Sequence, residues 1–230
     1  MIPVLGIPIL NGPEHLDSLF DSIDYPVERI VLIDNGDVVH DAIEALDHVT
    51  VIKPRCNLGV AASWNFIIRS TDAPWWVISN HDIVFSPGDL ERLADRVANE
   101  GGVAMLGGFS VFAISKGVIP RVGWFDENFT PAYYEDNDFD YRCRLAEVKI
   151  RALPASLIHH TSSTLQEGPT YKDQNRMTFA ANRKRYLDKW GGEPYREKFT
   201  TPFDAGGDFR DWRLDIDRVE AQRWVRVIDQ

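Results

Sequence analysis

Along the first hundred residues, short apolar runs alternate with helical stripes. Val4 to Leu10 is an apolar run of strand length, and Pro13 to Ile23 carries Leu16, Leu19, Phe20 and Ile23 on one helical stripe. Arg29 to Ile33 predicts a second strand, stopped by the turn signal Asp34-Asn35-Gly36. A short helix around Ala42 to Leu46 leads to a strand at Val49 to Ile52. After Asn57-Leu58-Gly59, the positions Val60, Trp64, Ile67 and Ile68 keep the i, i+4, i+7, i+8 spacing of a buried helix face. Trp75 to Ile78 reads as a buried strand, and Pro87 opens another helix. This alternation predicts an α/β fold with a largely parallel sheet and helices on both faces.

The rhythm changes after Gly101. Val103 to Leu106 and Phe109 to Ser115 predict strands separated by glycines, and a loop rich in aromatics and acids runs from Gly123 to Asp140. A helix at Tyr141 to Ala146, a strand at Val148 to Leu153 and a long helix at Thr178 to Trp190 follow, the last ended by Gly191-Gly192. Thr201 to Gln230 is charged and mixed, either a packed extension or a loose tail.

The 230 residues suit one large domain, or one domain with a tail, and a hydrophobic content of 44% is enough for a sizeable core. Runs such as Trp75 to Ile78 are far too short to span a bilayer, so no stable membrane insertion is expected. Met1-Ile2-Pro3-Val4 has no basic n-region, and no signal peptide is expected. Two cysteines, Cys56 and Cys143, give no disulfide framework, which fits a reducing, cytoplasmic setting. A formal net charge of −10 opposes a nucleic-acid-binding role. The local basic stretch with Arg183, Lys184, Arg185 and Lys189 reads as a solvated helix face.

In open parallel sheets, ligands bind beyond the carboxyl ends of the strands. The polar residues there are Asn11, Asp34, Arg55, Asn57 and Asp82. Each alone is more often a turn former, but their recurrence at successive strand ends points to a site. Asp82, in Ser79-Asn80-His81-Asp82, directly follows a buried strand, and carboxylates suit Mg2+ or Mn2+; the plainer reading is an Asx turn. Tyr133-Tyr134-Glu135-Asp136-Asn137-Asp138-Phe139-Asp140 packs four carboxylates before a helix, more than one cap needs. Such crowding raises a carboxylate's pKa, which suits a general base. The adjacent pair His159-His160 follows a strand and, beside a metal carboxylate, becomes a ligand candidate.

An ordered set of motifs resembles the family 2 glycosyltransferases, especially their rhamnosyltransferase-like members. It comprises Pro8 and Asn11; Asp34-Asn35-Gly36; Asn57-Leu58-Gly59-Val60-Ala61 with Asn65; Asn80-His81-Asp82; Gly123-Trp124-Phe125-Asp126-Glu127; Glu135-Asp136-Asn137-Asp138 with Arg142; His159 with Ser163; and Asn182 with Lys189-Trp190-Gly191. The resemblance covers roughly residues 1 to 192. It implies a GT-A fold over 1–192, with a Rossmann-like nucleotide half (1–100) and a smaller acceptor and catalytic half (101–192), followed by a C-terminal extension (193–230).

The resemblance further implies an inverting transfer from a UDP- or dTDP-sugar to an acceptor hydroxyl. Pro8, Asn11, Asp34, Asn35, Arg55, Asn57, Gly59, Asn65, Asn80 and His81 would serve the donor, with Asp34 at the base or ribose. Asp82 and His159 would hold Mn2+ or Mg2+, with His160 as the substitute for His159. Asn80 stands where the family's metal motif has its first acid. Asp136 would be the base and Glu135 would orient the acceptor, with Trp124, Asp126, Tyr134 and Asp138 on the acceptor side. The acceptor itself is open: a glycan, a protein or a modified nucleobase. Two other readings compete. A nucleotidyltransferase needs a Lys- or Arg-bearing loop near the N-terminus, and residues 6 to 15 have none. A catalytically inactive sugar-nucleotide-binding module is permitted by Asn80 and opposed by Asp82, Asp136 and His159.

Overall fold

The computed structural model describes residues 1–155, 157–159, 169–210 and 225–228, with the backbone alone at 159, 169–172 and 225–228. The expected alternation forms β1 (Leu5–Ile9), α1 (Glu14–Asp21), β2 (Ile30–Asp34), α2 (Asp41–Glu44), β3 (Val49–Pro54), α3 (Val60–Ser70) and β4 (Trp75–Ser79). Then come β5 (Ile83–Val84), α4 (Asp89–Glu100), β6 (Val103–Leu106), β7 (Val111–Ser115), α5 (Ile119–Val122) and α6 (Glu135–Leu145). The described chain finishes with β8 (Ile150–Leu153), β9 (Ile158–His159), α7 (Pro169–Trp190) and β10 (Val225–Ile228).

Eight strands form one sheet in the order β10-β3-β2-β1-β4-β7-β6-β8. Only β7 and β10 run antiparallel to their neighbours. This is the α/β, GT-A architecture: a Rossmann-like, mostly parallel sheet flanked by helices. Every residue of β2 and of β4 is buried, as the apolar runs of a sheet covered on both faces require. One core lies beneath α1 and α4, with Leu16, Leu19, Leu90 and Leu93 against Leu5, Ile7 and Val77. The other lies beneath α3 and α6, with Trp64, Ile67 and Phe139 against Ile33, Trp76 and Phe112. Burying one such side chain contributes about 1.5–3 kcal/mol.

Four details differ from the sequence expectation. The 123–140 stretch is not all loop, because α6 begins at Glu135 and takes the four acids into its own first turns. The long helix starts at Pro169 rather than 178. Two short strands, β5 and β9, pair in a second sheet, with Ile83 opposite His159. The C-terminal stretch contributes β10, which pairs with β3 and covers that edge of the sheet.

The order places β1 between β2 and β4, so the connections diverge there. A crevice opens at the carboxyl ends of β1 and β4, where such sheets bind ligands.

Candidate active site

The crevice is a cleft of about 560 Å³. Its floor is the β1 end, Pro8 to Asn11, and the β4 end, Asn80 to Asp82. Asn35, Asn57, Gly59 and Val60 form one wall, while Pro131, Ala132 and four residues of α7 (Gln174, Asn175, Met177 and Thr178) form the other.

Eight of the candidate residues therefore meet here: Pro8, Asn11, Asn35, Asn57, Gly59, Asn80, His81 and Asp82. Several also build the wall. Asn35 accepts from Leu58 N–H at 2.9 Å and donates to Ser63 Oγ at 3.0 Å, tying the β2 end to the start of α3. Asn57 accepts from Gly59 N–H at 2.8 Å. Gly59 has φ +78°, and a Cβ there would meet Pro131 O at 2.7 Å. The Val60 N–H donates to that same oxygen at 2.7 Å, so the 130–134 loop rests directly on the α3 entrance. Asp82 is buried at the cleft floor. Burial pushes the neighbouring His81 imidazole down to about 4, against the opposing pull of Asp82. His81 is thus neutral near pH 7, and its Nε2 has no hydrogen-bond partner among the described residues.

Three donor-side candidates do not line the cleft. Asp34 is 1% exposed, and its two oxygens accept from Val38 N–H and Val39 N–H at 2.9 Å each. Its carboxylate closes the turn after β2, the plainer role open to it. Asn65 is equally buried; it bonds Phe125 through both its amide nitrogen and its oxygen, and Glu127 at 2.8 Å. It clamps the 123–127 loop. Arg55 is exposed and lies outside the lining.

The acidic stretch divides by helix geometry. Asp138, fully buried, accepts from Arg142 Nε at 2.8 Å, Lys189 Nζ at 2.6 Å and Trp190 Nε1 at 2.8 Å. Lys189 reaches Asp126 as well, at 2.8 Å. Burial alone would raise Asp138, but Arg142 and Lys189 outweigh it and hold the carboxyl below its usual range. Asp126 and Asp138 thus form a buried ion network that joins α6 to α7, rather than an acceptor surface. Lys189, expected on a solvated face, is its central cation and fully buried. Asp140 pairs with Arg144 at 3.1 Å. Trp124 is 40% exposed, outside the cleft, with Arg69 5.5 Å over its ring. Tyr134 packs against Phe179 and Tyr186.

That leaves Glu135 and Asp136 at the start of α6, three and four residues after the cleft-lining Ala132. Burial raises Glu135 well above the ordinary carboxylate value, with Asp136 adding to the shift, and its Oε2 has no partner among the described residues. Burial raises Asp136 too, opposed by the Asn137 N–H that it accepts at 2.8 Å. Neither lines the cleft directly.

As for a cation, the described residues hold no group of three or more His, Cys, Asp or Glu side chains suited to a metal. Asp82 is the one carboxylate of the described lining, with the Asn80 amide beside it, and a carboxylate oxygen is the donor type that Mg2+ or Mn2+ takes. The β5–β9 register brings the His159 backbone opposite Ile83, next to Asp82, while its side chain and all of His160 and Ser163 lie outside the described residues. One carboxylate and one carboxamide could fill only part of a cation's shell and would leave the rest to ligand oxygens.

The family model for "Glycosyl transferase family 2" matches residues 7–154. The chain belongs to that family. A galactofuranosyl glycosyltransferase from Leishmania donovani is 29% identical over 131 residues, which cover 47% of this chain and 30% of that protein. Two solved structures share the fold at low identity. Mannosyltransferase PcManGT from Pyrobaculum calidifontis, in complex with GDP-Man and Mn2+, has a TM-score of 0.55 at 15% identity over 66% of this chain and 54% of its own. TarS 1-349 from S. aureus, in complex with UDP-GlcNAc, has 0.54 at 13% over 77% and 65%. The chain thus spans about a third of the curated relative and somewhat more than half of these solved chains. The rhamnosyltransferase-like subtype finds no counterpart among these relatives. No helix among the described residues is long and apolar enough to cross a membrane.

Sequence reasoning missed the α7 face that completes the cleft, and it missed Lys189 as a core cation. A signal for the latter exists: Tyr186 and Trp190, at i and i+4, mark an apolar face beside Lys189.

Proposed function

We propose that this chain is an inverting glycosyltransferase, moving a sugar from a UDP- or dTDP-sugar to an acceptor hydroxyl. The observation that carries the reading is Asp82, a carboxylate at the floor of the cleft where the strand order diverges, in a chain of this family. Residues 1–100 would hold the donor and 101–192 the acceptor, with 193–230 as an extension. The described lining contains no Lys or Arg to face a nucleotide diphosphate. Mn2+ or Mg2+ held by Asp82, with His159 as the second candidate ligand, would offset the charge on the diphosphate. A relative solved with GDP-Man and Mn2+ supports that choice.

Asp136 is the base. Its carboxylate takes the acceptor hydroxyl proton while that oxygen bonds to the anomeric carbon from the face opposite the diphosphate. The bond from the anomeric carbon to the diphosphate oxygen breaks, and the electron pair leaves with the diphosphate. A carboxyl raised by burial suits proton abstraction near neutral pH. Burial raises the Glu135 carboxyl further still, and its Oε2, without a partner among the described residues, can orient the acceptor.

The test is nucleotide-diphosphate release from UDP- and dTDP-sugars with Mn2+, with the product anomer read by NMR. Release with inversion supports the reading. Binding of a sugar nucleotide without release or transfer favours the inactive module that Asn80 permits.

A further inference from the structure

The span matched by the family model ends at residue 154, yet one stripe of α7 grips the loop that leads into Glu135. Phe179, Asn182 and Tyr186 stand at i, i+3 and i+7 on one helix face. The Phe179 ring lies 5.5 Å from Tyr133 and 5.3 Å from Tyr134, and the Tyr186 ring 5.4 Å from Tyr134. Between them Asn182, 5% exposed, turns its Nδ2 toward three backbone carbonyls: Ala132 at 2.7 Å, Tyr133 at 3.2 Å and Thr130 at 3.4 Å. Those carbonyls belong to an unusual backbone. Tyr133 and Tyr134 both lie in the left-handed region, at φ 77° and 72°. Two consecutive bulky residues stay there only when their surroundings impose it. On its other side the loop rests on α3, where Pro131 meets Gly59 and Val60.

We propose that Asn182 is a positioning residue of the active site. By holding the carbonyls of Thr130, Ala132 and Tyr133, it sets the start of α6, and so the placement of Glu135 and Asp136 relative to the cleft. Its catalytic consequence rests on the reading of Glu135 and Asp136 above; its structural consequence does not.

The test compares Asn182→Leu, which keeps the shape and removes the donor, with Val97→Ala, a cavity in α4 remote from this loop. Two readouts are taken: the titration of the Glu135 carboxyl by 13C NMR, assigned with Glu135→Gln, and kcat beside donor affinity. In Asn182→Leu, Glu135 should titrate closer to the ordinary value of about 4.3. Its kcat should fall by about 10²-fold with donor affinity retained, the cost of a misplaced reacting group. Val97→Ala should lose thermal stability and leave both readouts unchanged. Should Asn182→Leu not fold, Asn182→Ser carries the same readouts. An unaltered Glu135 titration in the folded variant, or the same change in Val97→Ala, overturns the proposal. A parent that transfers no sugar overturns the glycosyltransferase reading instead, while the titration still decides the role of Asn182.

Discussion

The cleft and the α6–α7 junction are joined by the 130–134 loop, and they use charge in opposite ways. The described cleft lining is almost uncharged: carboxamides, a neutral His81 and one carboxylate, Asp82. The junction concentrates Asp126, Asp138, Arg142 and Lys189 in a space closed to water, each acid bonded to a cation. In the junction the charges satisfy each other and fix two helices together. In the cleft the polar groups are spread over the surface that would face a ligand, with no Lys or Arg among the described lining residues. One dense run of acids therefore divides: Asp138 is bound into the scaffold, while Glu135 and Asp136 in the same run have no ion pair among the described residues.

The largest effect should come from the acid that the junction leaves out. Asp136→Asn should lower kcat by about 10²–10⁴-fold with donor affinity and thermal midpoint retained. Near-parent turnover there, with loss in Glu135→Gln, would move the base by one residue. Lys189→Met should act on folding instead. Removing one partner of a buried ion network costs about 3–5 kcal/mol, measurable by urea unfolding, because Asp126 and Asp138 lose their shared cation. A loss below about 1 kcal/mol would mean that the network does not hold the helices. Gly59→Ala, at the meeting point of the two regions, should cost about 1–3 kcal/mol from the left-handed backbone and the approach of Pro131.

The pH dependence separates the regions by sign. Glu135 has a folded pKa raised above its unfolded value, so its contribution is full below about pH 4.3 and is lost as pH rises through the folded pKa. The stability of Glu135→Gln relative to the parent should therefore improve over that rise, by up to about 1.4 kcal/mol per pH unit. Asp138 has a depressed folded pKa, so its contribution is present above about pH 3.9 and is lost as pH falls through the folded value. Parent and Glu135→Gln should weaken together on that acid side. Parallel curves throughout would contradict the burial of Glu135.

The first half of the fold was legible because β1 to β4 are apolar runs bounded by Gly and Asx turns, and α3 and α4 carry clean stripes. Val225 to Ile228 was not, since a four-residue edge strand in a charged stretch has too little pattern to show. The start of α6 was hidden because its first turns are acids, with Phe139 and Cys143 the apolar pair of its buried face. Of the strand-end residues read from topology, Asn11, Asn57 and Asp82 line the cleft, while Asp34 and Arg55 do not. Asp126 and Asp138 were not, because the cation that claims them lies 63 and 51 residues further along the chain. Asp34 and Asn65 showed their position in the chain but not that backbone groups and Glu127 would occupy them.

The central claim is that the Asp82 cleft binds a nucleotide sugar through a cation. Calorimetric titration of UDP- and dTDP-sugars into the parent and Asp82→Ala, with Mn2+ and with excess EDTA, tests it. The account predicts binding by the parent in Mn2+, loss of that binding in EDTA, and the same loss in a folded Asp82→Ala with Mn2+ present. Equal affinity in Mn2+ and EDTA, or an Asp82→Ala variant that binds like the parent, would contradict it.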